Sequence, residues 1–73
     1  MFNPETANVL PNGAQIIDRH KLRKEHWVWL AYWEGHAFPY VTWRSTDKGD
    51  TYWGHYYETV LDAQTDFNKR KSA

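Results

Sequence analysis

Cysteine is absent from the chain, which excludes a disulfide framework, a thiolate metal site and a thiol nucleophile. Net charge is absent as well, because nine Lys and Arg are matched by nine Asp and Glu. That balance excludes a histone-like polycation and an acidic mimic of nucleic acid, while leaving room for a polarised surface. No apolar run approaches the roughly 20 residues of a membrane span, and no signal-peptide core follows Met1. Ordinary core formers are scarce too, since Leu, Ile and Val together are outnumbered by aromatic residues. With only 73 residues, the chain has room for a single small domain of modest stability. The expectation is a soluble, cytoplasmic protein that does not engage a membrane.

What the chain does have is rings. Five Trp, five Tyr and three Phe make up 18% of it, and eleven of them fall between Trp27 and Tyr57. Each buries roughly 150–250 Å², so a few can replace the many aliphatic side chains of a larger core. They also suit a domain with no disulfide to staple it.

Residues 1–13 hold Pro4, Pro11 and the turn pair Asn12-Gly13 without a sustained period, and read as a flexible leader to a single domain over 14–71. A stretch near 14–22 is a candidate edge strand, its charges discouraging strand-to-strand aggregation. Over 26–34, Trp27, Trp29, Ala31 and Trp33 alternate with Val28, Leu30 and Tyr32. Apolar character on both faces predicts a central strand. Further strands are predicted over 38–44 and 51–57, separated by the polar cluster Ser45 to Asp50. Gly54, inside the last of these, marks a bulge or a close approach. After Tyr57 the period changes. Thr59 and Asp62 have capping-box spacing, and Val60, Ala63 and Phe67 fall on one helical face. Lys69, Arg70 and Lys71 complement the dipole of a helix ending near 70, and Asp66 can pair with Arg70 one turn on. The fold class is therefore α+β: a three-stranded antiparallel sheet, with a candidate fourth strand near 14–22, packed by one C-terminal helix.

The segment from Tyr52-Trp53-Gly54 through the Thr59 cap to Ala63 and Phe67 carries a resemblance. It is similar to the ethylene-response-factor domain of plants and to the arm-binding domain of tyrosine-family integrases. Over about 38–70 the resemblance implies a three-stranded sheet backed by a helix, reading DNA with the sheet. The DNA-facing strands of those families carry several basic residues; here the second and third strands offer only Arg44. The layout is also similar to small inhibitor proteins of bacteriophages, which implies an accessory role without catalysis.

Two features carry the chemistry. One helix covers one face of a sheet, so the surplus rings are expected to leave the other face open, unless the leader or the segment 14–24 folds over it. Exposed rings can anchor a protein interface or stack on bases. Arg44 beside Trp43 is the leading anchor pair, and the partner-binding candidates are Tyr40, Trp43, Arg44, Trp53 and Tyr56. The second feature is charge. Segments 19–26 and 69–71 each carry a net +3, against −4 for 27–68. If they meet, Arg19, Lys21, Arg23, Lys24, Lys69 and Arg70 are the candidates for phosphate contact. The four histidines lack metal-ligand spacing, there is no Gly-rich phosphate loop, and serine occurs only at Ser45 and Ser72. No enzyme activity, cofactor, metal or small-molecule substrate is expected. The reading that follows is a non-catalytic protein-interaction or inhibitor module of a phage or mobile element, acting on a protein partner or as a homodimer. The alternative is a DNA- or RNA-binding domain that uses the sheet and the basic segments.

Overall fold

Alternation of rings and aliphatic residues along one strand sets up a sheet with two apolar faces, and the chain covers both. The computed structural model describes residues 1–72. Strands β1 (Gln15–Lys21), β2 (His26–Tyr32), β3 (Tyr40–Thr46) and β4 (Tyr52–Tyr57) form an antiparallel sheet in the order β1-β2-β3-β4. Helix α1 (Val60–Lys71) follows. The candidate fourth strand is thus a full member of the sheet. The strand predicted over 38–44 lies two residues further along than expected, because Ser45 and Thr46 pair with Trp27 and His26 instead of turning.

On one face, Val28 and Leu30 of β2 pack against Ala63 and Phe67 of α1, with Leu22, Tyr40 and Tyr57 around them. Ala63 lets the helix approach closely, and Phe67 fills the space beside it. Val60, expected on the same apolar face, is 44% exposed; it occupies the first helical position, before the helix has crossed the sheet. The Thr59 side chain accepts the Asp62 N–H, Asp62 lies in the first turn, and Lys69, Arg70 and Lys71 lie in the last. Both ends of the dipole are thereby complemented.

The opposite face carries Trp27, Trp29, Ala31, Val41 and Trp43, and it is not open. The leader lies across it. Leu10 and Ala14 are buried there, and Phe2 meets Trp29 edge-on with ring centroids 5.9 Å apart. The Arg19 guanidinium donates to Pro4 O at 2.8 Å and Ala7 O at 2.6 Å. Residues 8–10 run back along the start of β1, with Ile16 N–H on Asn8 O and Leu10 N–H on Ala14 O. Gly13, at φ +94°, makes the reversal that brings this about. The leader is therefore a packed part of the domain. A face bearing three large indoles would lose roughly 25 cal/mol for every Å² left in water. Fourteen residues of chain are enough to prevent that.

Buried indole N–H groups have partners, as their desolvation requires. Trp29 Nε1 donates to Ser45 Oγ and Trp27 Nε1 to Asp47 Oδ1, each at 2.6 Å. Ser45, expected in a turn, is a buried strand residue for this reason.

Candidate functional site

With both faces covered, the exposed rings are Phe38, in the loop between β2 and β3, and Trp53 and Tyr56, on the edge strand β4. The outer side of β1 is partly occupied by the leader, through the Val9–Gln15 bridge and the Asn8 carbonyl. The outer side of β4 has no strand beside it among the described residues. Trp53 and Tyr56 of β4 are 67% and 49% exposed.

A bulge shapes this edge. Thr42 pairs with His55, but Arg44 pairs with Tyr52, so Trp53 and Gly54 together stand opposite Trp43. Trp53 takes up the extra length with φ +54°, a left-handed backbone disfavoured for a residue with a Cβ. Gly54 is required next to it. A Cβ there would sit 2.7 Å from Trp43 Nε1 and 2.8 Å from the Tyr56 hydroxyl. The bulge turns the Trp53 ring toward the helix side, where it meets Tyr52 edge-on at 5.0 Å and the Arg44 guanidinium at 5.6 Å. Arg44 Nε is buried and has no hydrogen-bond partner among the described residues.

Behind this pair lies a polar network linking α1 to the sheet. Arg70 Nη1 donates to Thr42 O at 3.0 Å and to Thr42 Oγ1 at 2.9 Å. Thr42 Oγ1 in turn donates to Asp66 Oδ2 at 2.6 Å, and His55 Nδ1 lies 2.8 Å from the same oxygen. An ionised carboxylate only accepts, so His55 carries its proton on Nδ1. Burial pushes the Asp66 carboxyl up, but the hydrogen bonds from Thr42 and His55 and the charge of Arg70 outweigh it and hold the group below its ordinary value. Burial also lowers the Arg70 guanidinium; Asp66 counters this, and the nearby positive charge of Arg44 adds to the lowering. Asp66 and Arg70 thus meet through Thr42, not through the direct i, i+4 ion pair expected from the sequence.

The five partner-binding candidates do not share a surface. Trp43 is 3% exposed, in the leader-face core with the rings of Trp33 and Tyr56 edge-on to it, and cannot touch a partner in this fold. Its sequence neighbour Arg44 points to the other face, since successive strand residues alternate. Trp43 and Arg44 are therefore not an anchor pair, and the ring that Arg44 meets is Trp53. Tyr40 is half-buried on the helix face, its ring 5.3 Å from that of Tyr32. Tyr56 lies on the leader face, edge-on to Trp43 at 6.1 Å. Arg44 and Trp53 come together; Tyr52, not among the candidates, joins them. Gly54 inside an aromatic strand was the signal that marked the bulge.

The phosphate-contact candidates are dispersed as well. Arg19 is committed to leader carbonyls and lies over Trp29, and Lys21 lies over Trp27 on the same face. Arg70 is committed to Thr42 on the opposite face. Arg23 and Lys24, in the turn between β1 and β2, and Lys69 are exposed. The basic segments therefore form no continuous stripe, because strand alternation sends Arg19 and Lys21 away from the helix. No three His, Asp or Glu side chains converge at a metal-binding distance among the described residues. His36 stacks on Trp33, centroids 3.9 Å apart.

A cleft of about 500 Å³ opens on the leader face, walled by Phe2, Pro4, Lys21, Trp27 and Asp47. It exists only because the leader is docked, so no sequence pattern announced it. Trp27 and Asp47 bond each other there, while the charged side chains of Glu5, Lys21 and Lys48 also line it.

No family model, curated protein or solved structure matches this chain. The function must be argued from the β4 edge itself.

Proposed function

We propose that the chain is a non-catalytic protein-interaction module whose contact surface is the helix side of the β4 edge, centred on Trp53 and Arg44 and bordered by Tyr52. The observation that carries this is the state of Trp53: a large ring, 67% exposed, on a backbone at φ +54°. Such a conformation costs of order 1–3 kcal/mol. Glycine would occupy the position without that cost, and a core would gain nothing from a ring in water. Trp and Arg side by side are the residue types enriched at the energetic centres of protein interfaces. A small chain that acts by covering another molecule's surface fits the accessory or inhibitory role expected from its size. The bulge also disfavours simple strand addition along all of β4, so recognition by side chains is the supported mode.

Nucleic-acid binding is the second reading, favoured by Arg44 and Arg70 lying near exposed rings that can stack on bases. The dispersal of the other cations weighs against it. The two separate in one experiment. Immobilised wild-type protein is expected to retain protein partners from its source that Trp53→Gly does not retain. Duplex and single-stranded oligonucleotides are expected to show no binding even at low salt. Tight oligonucleotide binding that weakens steeply with salt would favour the second reading instead.

A further inference from the structure

We infer that Asn12-Gly13 is a latent site of covalent modification: the Gly13 nitrogen closes on the Asn12 side-chain amide to form a succinimide when the leader lifts from the sheet, and the docked leader prevents it. This goes beyond the reading of the β4 edge and does not depend on it.

The chemistry is intramolecular and needs only water. The Gly13 backbone nitrogen attacks Asn12 Cγ. An N–Cγ bond forms, the Cγ–Nδ2 bond breaks, and ammonia leaves with the proton that the nitrogen gives up. Water then opens the cyclic imide. Cleavage at Cγ leaves an ordinary aspartate; cleavage at the main-chain carbonyl leaves an isoaspartate, whose main chain runs through Cβ and Cγ and is one methylene longer. Glycine suits the attacking position, having no Cβ to crowd the nitrogen. Asn12 is the one asparagine that glycine follows. Asn3 precedes Pro4, whose nitrogen has no proton to give up. Asn8 precedes Val9, branched at Cβ, and Asn68 lies inside α1.

Solvent access does not guard the pair, since both residues are exposed. Hydrogen bonding does. Gly13 N–H donates to Leu10 O at 2.8 Å, which keeps the nitrogen protonated and turned inward. Asn12 Oδ1 accepts Ala14 N–H at 2.9 Å, and Nδ2 donates to Thr51 Oγ1 at 3.4 Å, so the side-chain amide is held at both ends. These partners depend on the seated leader. Leu10 and Ala14 are buried with the indoles, and Thr51 belongs to the loop between β3 and β4. Pro11 lies against Gly49 of the same loop, where a Cβ would come within 2.8 Å of its ring. Release of Leu10 therefore frees both reacting groups together. Local opening of this kind costs less than unfolding the sheet. Ring closure is slow beside opening and reclosing, so its rate follows the open population. The product then acts back on the fold. An isoaspartate lengthens the chain between Leu10 and Ala14, where the Leu10 N–H to Ala14 O bond of 2.9 Å closes a tight turn, and the leader no longer fits its seat.

The test is peptide mass mapping of the wild type after incubation at mildly alkaline pH. Samples are kept without urea, in urea below the unfolding transition, and fully unfolded, with far-UV circular dichroism following the sheet. The unfolded chain is expected to exchange the Asn12 amide for a hydroxyl ahead of Asn3, Asn8 and Asn68, with aspartyl and isoaspartyl peptides separating by chromatography. The folded chain should react at least about tenfold more slowly, and its rate should climb in urea before the dichroism changes. Leu10→Ala should raise the folded-state rate at least about tenfold. Asn12→Gln should abolish the change, because its longer side chain closes a ring far less readily. Equal rates in folded and unfolded protein would overturn the inference, as would an unfolded chain that stays unmodified at Asn12. So would a rate that rises only as the dichroism is lost. The wild type alone separates these outcomes, whether or not Leu10→Ala folds.

Discussion

His55 of β4 and Asp66 of α1 meet through a 2.8 Å contact between Nδ1 and Oδ2, and with Thr42 they pin the helix to the sheet. Asp66 titrates below its ordinary value of 3.8 in the folded protein. A carboxyl whose folded-state value lies below its unfolded one stabilises the fold fully above the unfolded value. That stabilisation is lost as pH falls through the folded value. Asp66→Asn is therefore expected to lower stability by about 1–2 kcal/mol at neutral pH, with the gap to wild type closing in strong acid. Urea unfolding at neutral and acid pH measures this. A gap that stays constant down the pH range would show that the charge of Asp66 contributes nothing.

The Trp53 backbone makes a paired prediction. Trp53→Gly removes the ring and the strain together, so the melting temperature should hold or rise while partner binding is lost. Trp53→Val removes the ring but keeps a branched Cβ at a positive φ, and should be less stable than Trp53→Gly by about 1–2 kcal/mol. Equal stability of the two variants would mean that the left-handed geometry is not held in solution.

Leu10 measures whether the leader is structural. It is 2% exposed against the indoles of β2 and β3. Leu10→Ala should cost about 2–5 kcal/mol, a large part of what a domain of this size has to lose. Chemical denaturation reads this directly. An unchanged midpoint would mean that the leader does not pack on the sheet.

The tryptophans report on the same arrangement. Trp27, Trp29 and Trp43 are 4%, 0% and 3% exposed, against 67% for Trp53. Acrylamide should therefore quench chiefly Trp53, with a smaller share from the half-buried Trp33, and Trp53→Phe should remove the larger share. Efficient quenching that persists in Trp53→Phe would contradict the covered leader face.

Local pattern by itself determined much of the layout. Alternation along β2 assigned Trp27, Trp29 and Ala31 to one face and Val28 and Leu30 to the other, because the side-chain period of a strand is two whatever the strand packs against. Thr59, Ala63 and Phe67 fixed the helix in the same way, through a cap and a 3.6-residue period. Gly54 marked the bulge. What the pattern could not carry was the destination of the leader, whose irregular residues have no period and gain their structure only from the indoles they cover. That one long-range contact covered Trp29 with Phe2, committed Arg19 to carbonyls and opened a cleft. The register shift opposite Trp43 then decided which ring meets Arg44. Periodicity assigns a residue to a face; only the packed chain determines whether that face meets solvent.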